Sequence, residues 1–69
     1  MFDENAFRAA MVIRGVSMKQ LAGHLGIDVS TLYRKIKDSG SFTRKEINEI
    51  IDYLGIDDPK AIFFTNKLA

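Results

Sequence analysis

The stretch KQLAGHLGIDVSTLYRKI constrains the fold most, because two short helical patterns lie on either side of a tight turn. The turn consists of Gly26, Ile27 and Asp28. Glycine readily adopts the left-handed backbone conformation that ends a helix, and aspartate is favoured where a helix starts. The sequence therefore predicts two helices at a fixed, sharp angle, a helix-turn-helix over about residues 17–37.

Helix-start signals recur at short intervals along the rest of the chain. Ser17 with Gln20, and Thr43 with Glu46, have the spacing of a capping box. Across the chain, residues able to cap five helices stand at Asp3, Ser17, Asp28, Thr43 and Asp58. An apolar stripe at helical spacing is clearest at Ile47, Ile50, Ile51 and Leu54. We predict a compact all-α, five-helix domain over residues 1–69, with a C-terminal helix and tail at 58–69.

Composition argues against several classes of protein. The chain has no cysteine, so it has no disulfide framework and no thiolate zinc site. No apolar run approaches the roughly 18 residues that cross a membrane. The N-terminal MFDENAF carries acids where a signal peptide has bases, so we expect a cytoplasmic protein. We also expect no cofactor and no small-molecule ligand.

The single histidine does not indicate a metal site or an enzyme. His24 has no second histidine or cysteine with which to share a metal ion, so no metal is expected. Ser17 lies seven residues before it, and no acid is placed to orient the pair for nucleophilic catalysis. We therefore interpret His24 as an exposed helix residue and the protein as a non-enzyme.

Charge is unevenly distributed, although the net charge is only +1. Residues 14–45 contain seven basic and two acidic side chains, whereas residues 46–69 contain five acidic and two basic ones. A basic surface with several lysines and arginines is typical of nucleic-acid binding, and solvated helix faces of mixed charge are the alternative.

The third predicted helix has an outer side suited to reading DNA. At about 100° per residue, Leu32 and Ile36 point to the core. The opposite side then presents Ser30, Arg34 and Lys37, flanked by Thr31 and Tyr33. An arginine can bond guanine O6 and N7 together, hydroxyl groups can reach base edges, and a phenol ring can rest on a thymine methyl or bond a phosphate.

Basic and hydroxyl residues on neighbouring segments fit phosphate contacts. The helix that begins at Ser17 would direct backbone N–H groups and Lys19 at a phosphate. Four further bases lie at the two ends of the loop after the third helix, at Lys35, Lys37, Arg44 and Lys45. Phosphate contacts would provide affinity, and the third helix would provide sequence specificity.

The same stretch resembles the helix-turn-helix of the Cro/repressor (XRE-type) family of phage and bacterial regulators. The matching residues are Leu21, Ala22, Gly26, Ile27 and Leu32. The following FTRKEINEIIDYLGI is similar to the fourth helix of that family, and IFF to the ends of small Cro-like proteins of phages and prophages. The resemblance covers residues 7–64.

The resemblance implies a lambda-repressor-like fold and a dimeric transcriptional regulator, often a repressor, on a two-fold DNA operator. Carried over by position, it implies base contacts by Val29, Ser30, Tyr33 and Arg34 of a recognition helix at 29–37. It likewise implies phosphate contacts by Lys19 and by the loop 40–44, which contains Ser41, Thr43 and Arg44. Glutamine and asparagine are absent from the exposed side, so Arg34 would provide an unusual share of specificity.

Two expectations concern protein partners. Five helices this short leave little area to cover both Phe63 and Phe64, so a homodimer contact through Ile62, Phe63, Phe64 and the tail is predicted. The competing interpretation keeps the fold but binds a phage repressor protein, as an antirepressor or modulator of repression does. The modest net charge and the acidic fourth helix favour that alternative.

Overall fold

The computed structural model describes residues 2–64, and within that range the chain forms five α-helices and no strand. The helices are α1 (Glu4–Arg14), α2 (Met18–Leu25), α3 (Val29–Lys37), α4 (Arg44–Leu54) and α5 (Pro59–Phe63). The predicted all-α fold is therefore confirmed. Residues 65–69, which include the tail assigned to the dimer contact, lie outside the described residues.

Local side-chain hydrogen bonds cap most of the predicted helix starts. The Asp3 carboxylate accepts from the Ala6 N–H at 3.0 Å at the start of α1. At the start of α4, the Thr43 hydroxyl accepts from the Glu46 N–H at 3.1 Å, and the Glu46 side chain accepts from the Thr43 N–H at 2.9 Å. This reciprocal pair is the predicted capping box, and it satisfies two of the N–H groups that every helix start leaves unpaired.

Two predicted caps are right in position but wrong in mechanism. Asp28 and Asp58 precede α3 and α5, yet neither side chain accepts a hydrogen bond from its helix. The short α5 begins instead with Pro59, whose fixed φ and missing N–H suit the first helical position.

The core lies where the five helices meet. Its largest fully buried side chains are Phe7, Leu21, Leu32, Ile36, Ile50 and Leu54. Four phenylalanine rings, of Phe2, Phe7, Phe42 and Phe63, lie with centroids 5.4–6.4 Å apart. Such pairs contribute about 0.5–1.5 kcal/mol each beyond their buried area, which matters in a chain without disulfides.

The N-terminal segment holds α1 against α5. The Asp3 N–H donates to the Ile62 carbonyl at 2.7 Å. The Phe2 ring lies over Gly40, whose φ of +69° is in the left-handed region. The segment thereby connects α1, α5 and the loop that follows α3.

Candidate nucleic-acid interface

The helix α3 is buried on one side and open on the other. Leu32 and Ile36 are 0% and 1% exposed, as predicted from the helical period. Ser30, Arg34 and Lys37 are all exposed on the outer side. Burying a leucine or isoleucine stabilises a fold by about 1.5–3 kcal/mol, so these two residues determine which side of α3 faces the solvent.

The predicted base-contact residues differ in how freely they reach the solvent. Ser30 and Arg34 are exposed, and Tyr33 is 42% exposed. Thr31 and Val29 are half-buried, and Val29 packs against the core. The structure thus groups Ser30, Tyr33 and Arg34 on one open surface and turns Val29 partly inward.

A glycine turn sets the angle between α2 and α3. Gly26 has φ 74° and ψ 30°, the left-handed conformation in which glycine has no steric penalty. The next N–H, that of Ile27, donates to the Ala22 carbonyl at 3.0 Å. Ala22 is 1% exposed, and its small side chain allows close packing in the core shared by α2 and α3.

At the start of α2, the predicted capping box is present. The Ser17 hydroxyl accepts from the Gln20 N–H at 3.1 Å, and the Gln20 side chain accepts from the Ser17 N–H at 2.9 Å. The hydroxyl keeps its own proton for donation, so capping is compatible with the predicted phosphate contact. Lys19, two residues further on, is exposed.

Lys35, predicted to contact a phosphate, already has partners within the protein. Its Nζ donates to the Ser41 carbonyl at 3.3 Å and lies 3.3 Å from the Glu46 carboxylate. The side chain is only 19% exposed. Because the charge is already paired, Lys35 ties the loop after α3 to α4. Ser41 and Thr43 of the same loop, and Arg44 and Lys45 at the start of α4, are exposed and remain predictions for phosphate contact.

The pairing also changes the acidity of Glu46. Partial burial disfavours its charged form, but hydrogen bonds from the Thr43 backbone and from Lys35 outweigh that effect. The pKa of the Glu46 carboxyl is consequently below its ordinary value of 4.5. Glu46 therefore stays ionised at neutral pH and keeps Lys35 in place.

A charged cluster formed by residues of α1 and α3 was not predicted from the sequence. The Arg8 Nε donates to the Glu4 Oε2 at 2.9 Å, and the Lys37 Nζ lies 3.4 Å from the same oxygen. The Arg8 guanidinium also lies 5.8 Å from the centre of the Tyr33 ring. The four-residue spacing of Glu4 and Arg8 was a signal for the first pair, but no local pattern points to Lys37, which is 33 residues from Glu4.

Arg8 dominates the electrostatics of this cluster. Its hydrogen bond lowers the pKa of the Glu4 carboxyl below the ordinary value of 4.5; desolvation opposes this change, and the charge of Lys37 adds to it. At neutral pH, Glu4 is therefore a full negative charge shared by two cations beside the outer side of α3.

His24 is exposed, as predicted, but it is not isolated. Its ring stacks on Tyr53 with centroids 4.1 Å apart and an angle of 7° between the planes. This contact joins α2 to α4 and gives His24 a packing role. Among residues 2–64, no group of three potential ligands could hold a metal ion.

The structure leaves only one of the three side chains predicted for a dimer contact exposed. Ile62 and Phe63 are each only 6% exposed because they complete the core, so neither can offer much area to a partner. Phe64 is 60% exposed and lies beside a groove of about 350 Å³ on α4, lined by Ile47 and Ile51. Of the three side chains, only Phe64 remains suited to a subunit contact.

A second apolar surface lies at the end of α1 and was not foreseen. Val12 and Ile13 are 79% and 81% exposed. Ile13 borders a groove of about 400 Å³ that also contains Leu54 and Ile56.

The family assignment agrees with this geometry. The family model described as the Cro/C1-type HTH DNA-binding domain matches residues 7–63. The chain therefore belongs to the Cro/C1-type family of helix-turn-helix DNA-binding domains, as the sequence resemblance predicted. The family is defined by DNA binding and is not a class of enzymes, which supports a DNA-binding regulator.

Other comparisons add no relative. Neither the curated proteins nor the solved structures contain a match to this chain. Of the helices between residues 2 and 64, none is long and apolar enough to cross a membrane.

Proposed function

We propose that the protein is a sequence-specific transcriptional regulator that occupies a DNA operator through α3. The observation that carries this proposal is the open guanidinium of Arg34. Arg34 is exposed, and its guanidinium forms no hydrogen bond or ion pair within residues 2–64. An unpaired guanidinium on the outer side of a short helix is well suited to bond a guanine in the major groove.

The other contacts follow from that docking. Ser30 and Tyr33 lie beside Arg34 and would reach neighbouring bases, with Thr31 and Val29 at the edge of the contact. Ser17 and Lys19 at the start of α2 would hold one phosphate strand. Exposed residues of the loop after α3 and of the start of α4 would hold the other, namely Ser41, Thr43, Arg44 and Lys45.

We further propose that the regulator acts in the bacterial cytoplasm, at the nucleoid, as a Cro-like repressor of phage or prophage type. It would bind as a homodimer whose subunits meet through Phe64 and read half-sites about one helical turn apart. The exposed ring of Phe64 beside the α4 groove supports this contact.

Selection of bound duplexes from a random DNA pool tests the proposal, followed by measurement of the affinity for the selected duplex at increasing salt concentrations. Arg34→Ala should cost about 1–3 kcal/mol at one base pair and relax the preference there. Lys60→Ala, on α5, removes the same charge from another exposed residue and should leave the sequence preference intact. A selection that enriches no sequence would contradict the proposal.

The alternative function is a protein-interaction module that binds a phage repressor. The exposed Val12 and Ile13, together with the groove that Ile13 borders, favour it, since contiguous apolar patches on soluble proteins often mark interaction sites. A tight complex with a repressor that is lost in Ile13→Asp, together with no sequence preference on DNA, would support this function over the first.

A further inference from the structure

The inference concerns two cations from different helices that meet at one atom. Arg8 of α1 and Lys37 of α3 both contact the Oε2 oxygen of Glu4, at 2.9 Å and 3.4 Å. An oxygen shared by a guanidinium and an ammonium group is the arrangement in which proteins also hold a phosphate oxygen. Glu4 therefore occupies a position where a phosphate could bind.

The cluster is open to a large ligand. The side chain of Lys37 is 69% exposed, that of Arg8 39% and that of Glu4 32%. Ion pairs this exposed are weak, with a typical strength of about 0–1 kcal/mol. A DNA phosphate can therefore replace the carboxylate without disrupting the fold.

The cluster also lies at the edge of the open surface of α3 that is proposed to contact bases. Lys37 follows Tyr33 by one helical turn on α3, and the Arg8 guanidinium lies 5.8 Å from the centre of the Tyr33 ring. When α3 occupies a major groove, as the proposed function requires, a phosphate strand passes along each side of the helix. Arg8 and Lys37 stand where the strand on the α1 side would pass.

We propose that Arg8 and Lys37 form a phosphate clamp for the DNA backbone, and that Glu4 competes with DNA for it. In the free protein the carboxylate holds both cations. On DNA, one phosphate takes its place, and the negative charge of Glu4 is left beside the backbone. Glu4 thus weakens binding to every sequence and reduces its salt dependence.

Glu4→Gln tests the competition, and Asp52→Asn is the matched control. Asp52 is exposed on α4, forms no ion pair within residues 2–64, and its substitution changes the net charge equally. Binding is measured by fluorescence anisotropy to two duplexes of about 20 base pairs, the selected operator and a scrambled one. Thermal unfolding by circular dichroism verifies that each variant folds.

Glu4→Gln should bind both duplexes about fivefold more tightly and steepen the log–log salt dependence by about one unit. Asp52→Asn should change affinity less than twofold. A loss of affinity in Glu4→Gln would overturn the proposal, because it would mean that Glu4 orients Arg8 toward DNA. An effect equal to that of Asp52→Asn would overturn it as well.

A double-mutant cycle assigns the effect to the clamp. Arg8→Ala should reduce affinity for DNA more in the Glu4→Gln background than in the wild type, because in the wild type Arg8 is already paired with the Glu4 carboxylate. Equal losses in both backgrounds would contradict the clamp.

The two duplexes separate this inference from the proposed function. Sequence preference that depends on Arg34, without any gain in Glu4→Gln, would overturn the clamp alone. A gain of Glu4→Gln on both duplexes, without preference between them, would overturn sequence-specific regulation alone. An absence of binding to either duplex by all variants would overturn both.

Discussion

The two helices of the helix-turn-helix are nearly equal in length but are held by different kinds of interaction. In α2, Ser17 and Gln20 close a capping box over three residues, and Gly26 ends the helix. In α3, the residue before the helix, Asp28, forms no cap hydrogen bond. The ion pairs of α3 join it instead to residues distant in the sequence, through Lys35–Glu46 and Lys37–Glu4.

This difference fits the two roles in the proposed function, in which α2 supports the motif and α3 contacts the DNA bases. Helices of eight or nine residues are unstable in isolation, so each needs further interactions. Local bonds define both ends of α2, and its buried Leu21 and Ala22 hold it in the core. The orientation of α3 depends on its buried Leu32 and Ile36 and on the pairing of Lys35 with Glu46, and its outer side stays free for a partner.

The largest expected effect compares the glycines that follow the two helices. Gly26 and Gly40 both have positive φ, +74° and +69°. A Cβ on Gly26 would meet nothing within 4 Å, whereas one on Gly40 would lie 2.9 Å from the Phe2 Cβ and closer still to its ring. We expect a loss of about 1 kcal/mol for Gly26→Ala and about 2–3 kcal/mol for Gly40→Ala in urea unfolding. Equal losses would show that Phe2 does not restrain the loop after α3.

A smaller effect compares the two helix starts. Ser17→Ala removes a cap that accepts a hydrogen bond and should cost about 1 kcal/mol. Asp28→Ala removes no such bond and should change the free energy of unfolding by less than about 0.5 kcal/mol. Chemical denaturation of both variants measures the difference. If Asp28→Ala costs as much as Ser17→Ala, the two helix starts are equivalent and the comparison fails.

The smallest expected effect concerns the pairing of Lys35 with Glu46. Because the folded pKa of Glu46 is below 4.5, its stabilisation is present above that pH and is lost as the pH falls through the folded pKa. Glu46→Gln keeps a capping-box residue but removes the charge. It should cost about 0.5 kcal/mol at pH 7 and nothing at pH 2.

Unfolding curves between pH 7 and pH 2 measure this loss. The wild type should lose more stability on acidification than Glu46→Gln, which retains only the pH dependence of the other carboxylates, Glu4 among them. Identical pH profiles would contradict a role for Glu46 in holding α3.

The helix boundaries were largely predictable because their signals are local. Gly15, Gly26 and Gly55 each adopt the left-handed conformation after a helix, and both capping boxes form as predicted. Asp28 and Asp58 show the limit of such signals. A suitable residue type allows a cap bond, but the side-chain conformation that makes the bond depends on neighbours outside the helix.

The site was predictable in part for the same reason. The helical period placed Ser30, Arg34 and Lys37 outward correctly. It could not reveal that Lys35 is paired with Glu46, or that Arg8 lies beside Tyr33. These partners are separated from α3 by a turn or by a whole helix, and no repeating pattern links them.

The amino-acid sequence by itself determined five short helices, their ends, the buried side of α3 and the resemblance to the Cro/repressor family. The helix ends and the buried side of α3 depend on residues within about one or two helical turns of one another, and the resemblance adds up such local patterns along the chain. Only the tertiary structure decided which cations stay available for a phosphate and which apolar residues stay uncovered. Those properties depend on distances between separate helices, and packing of the whole core sets such distances.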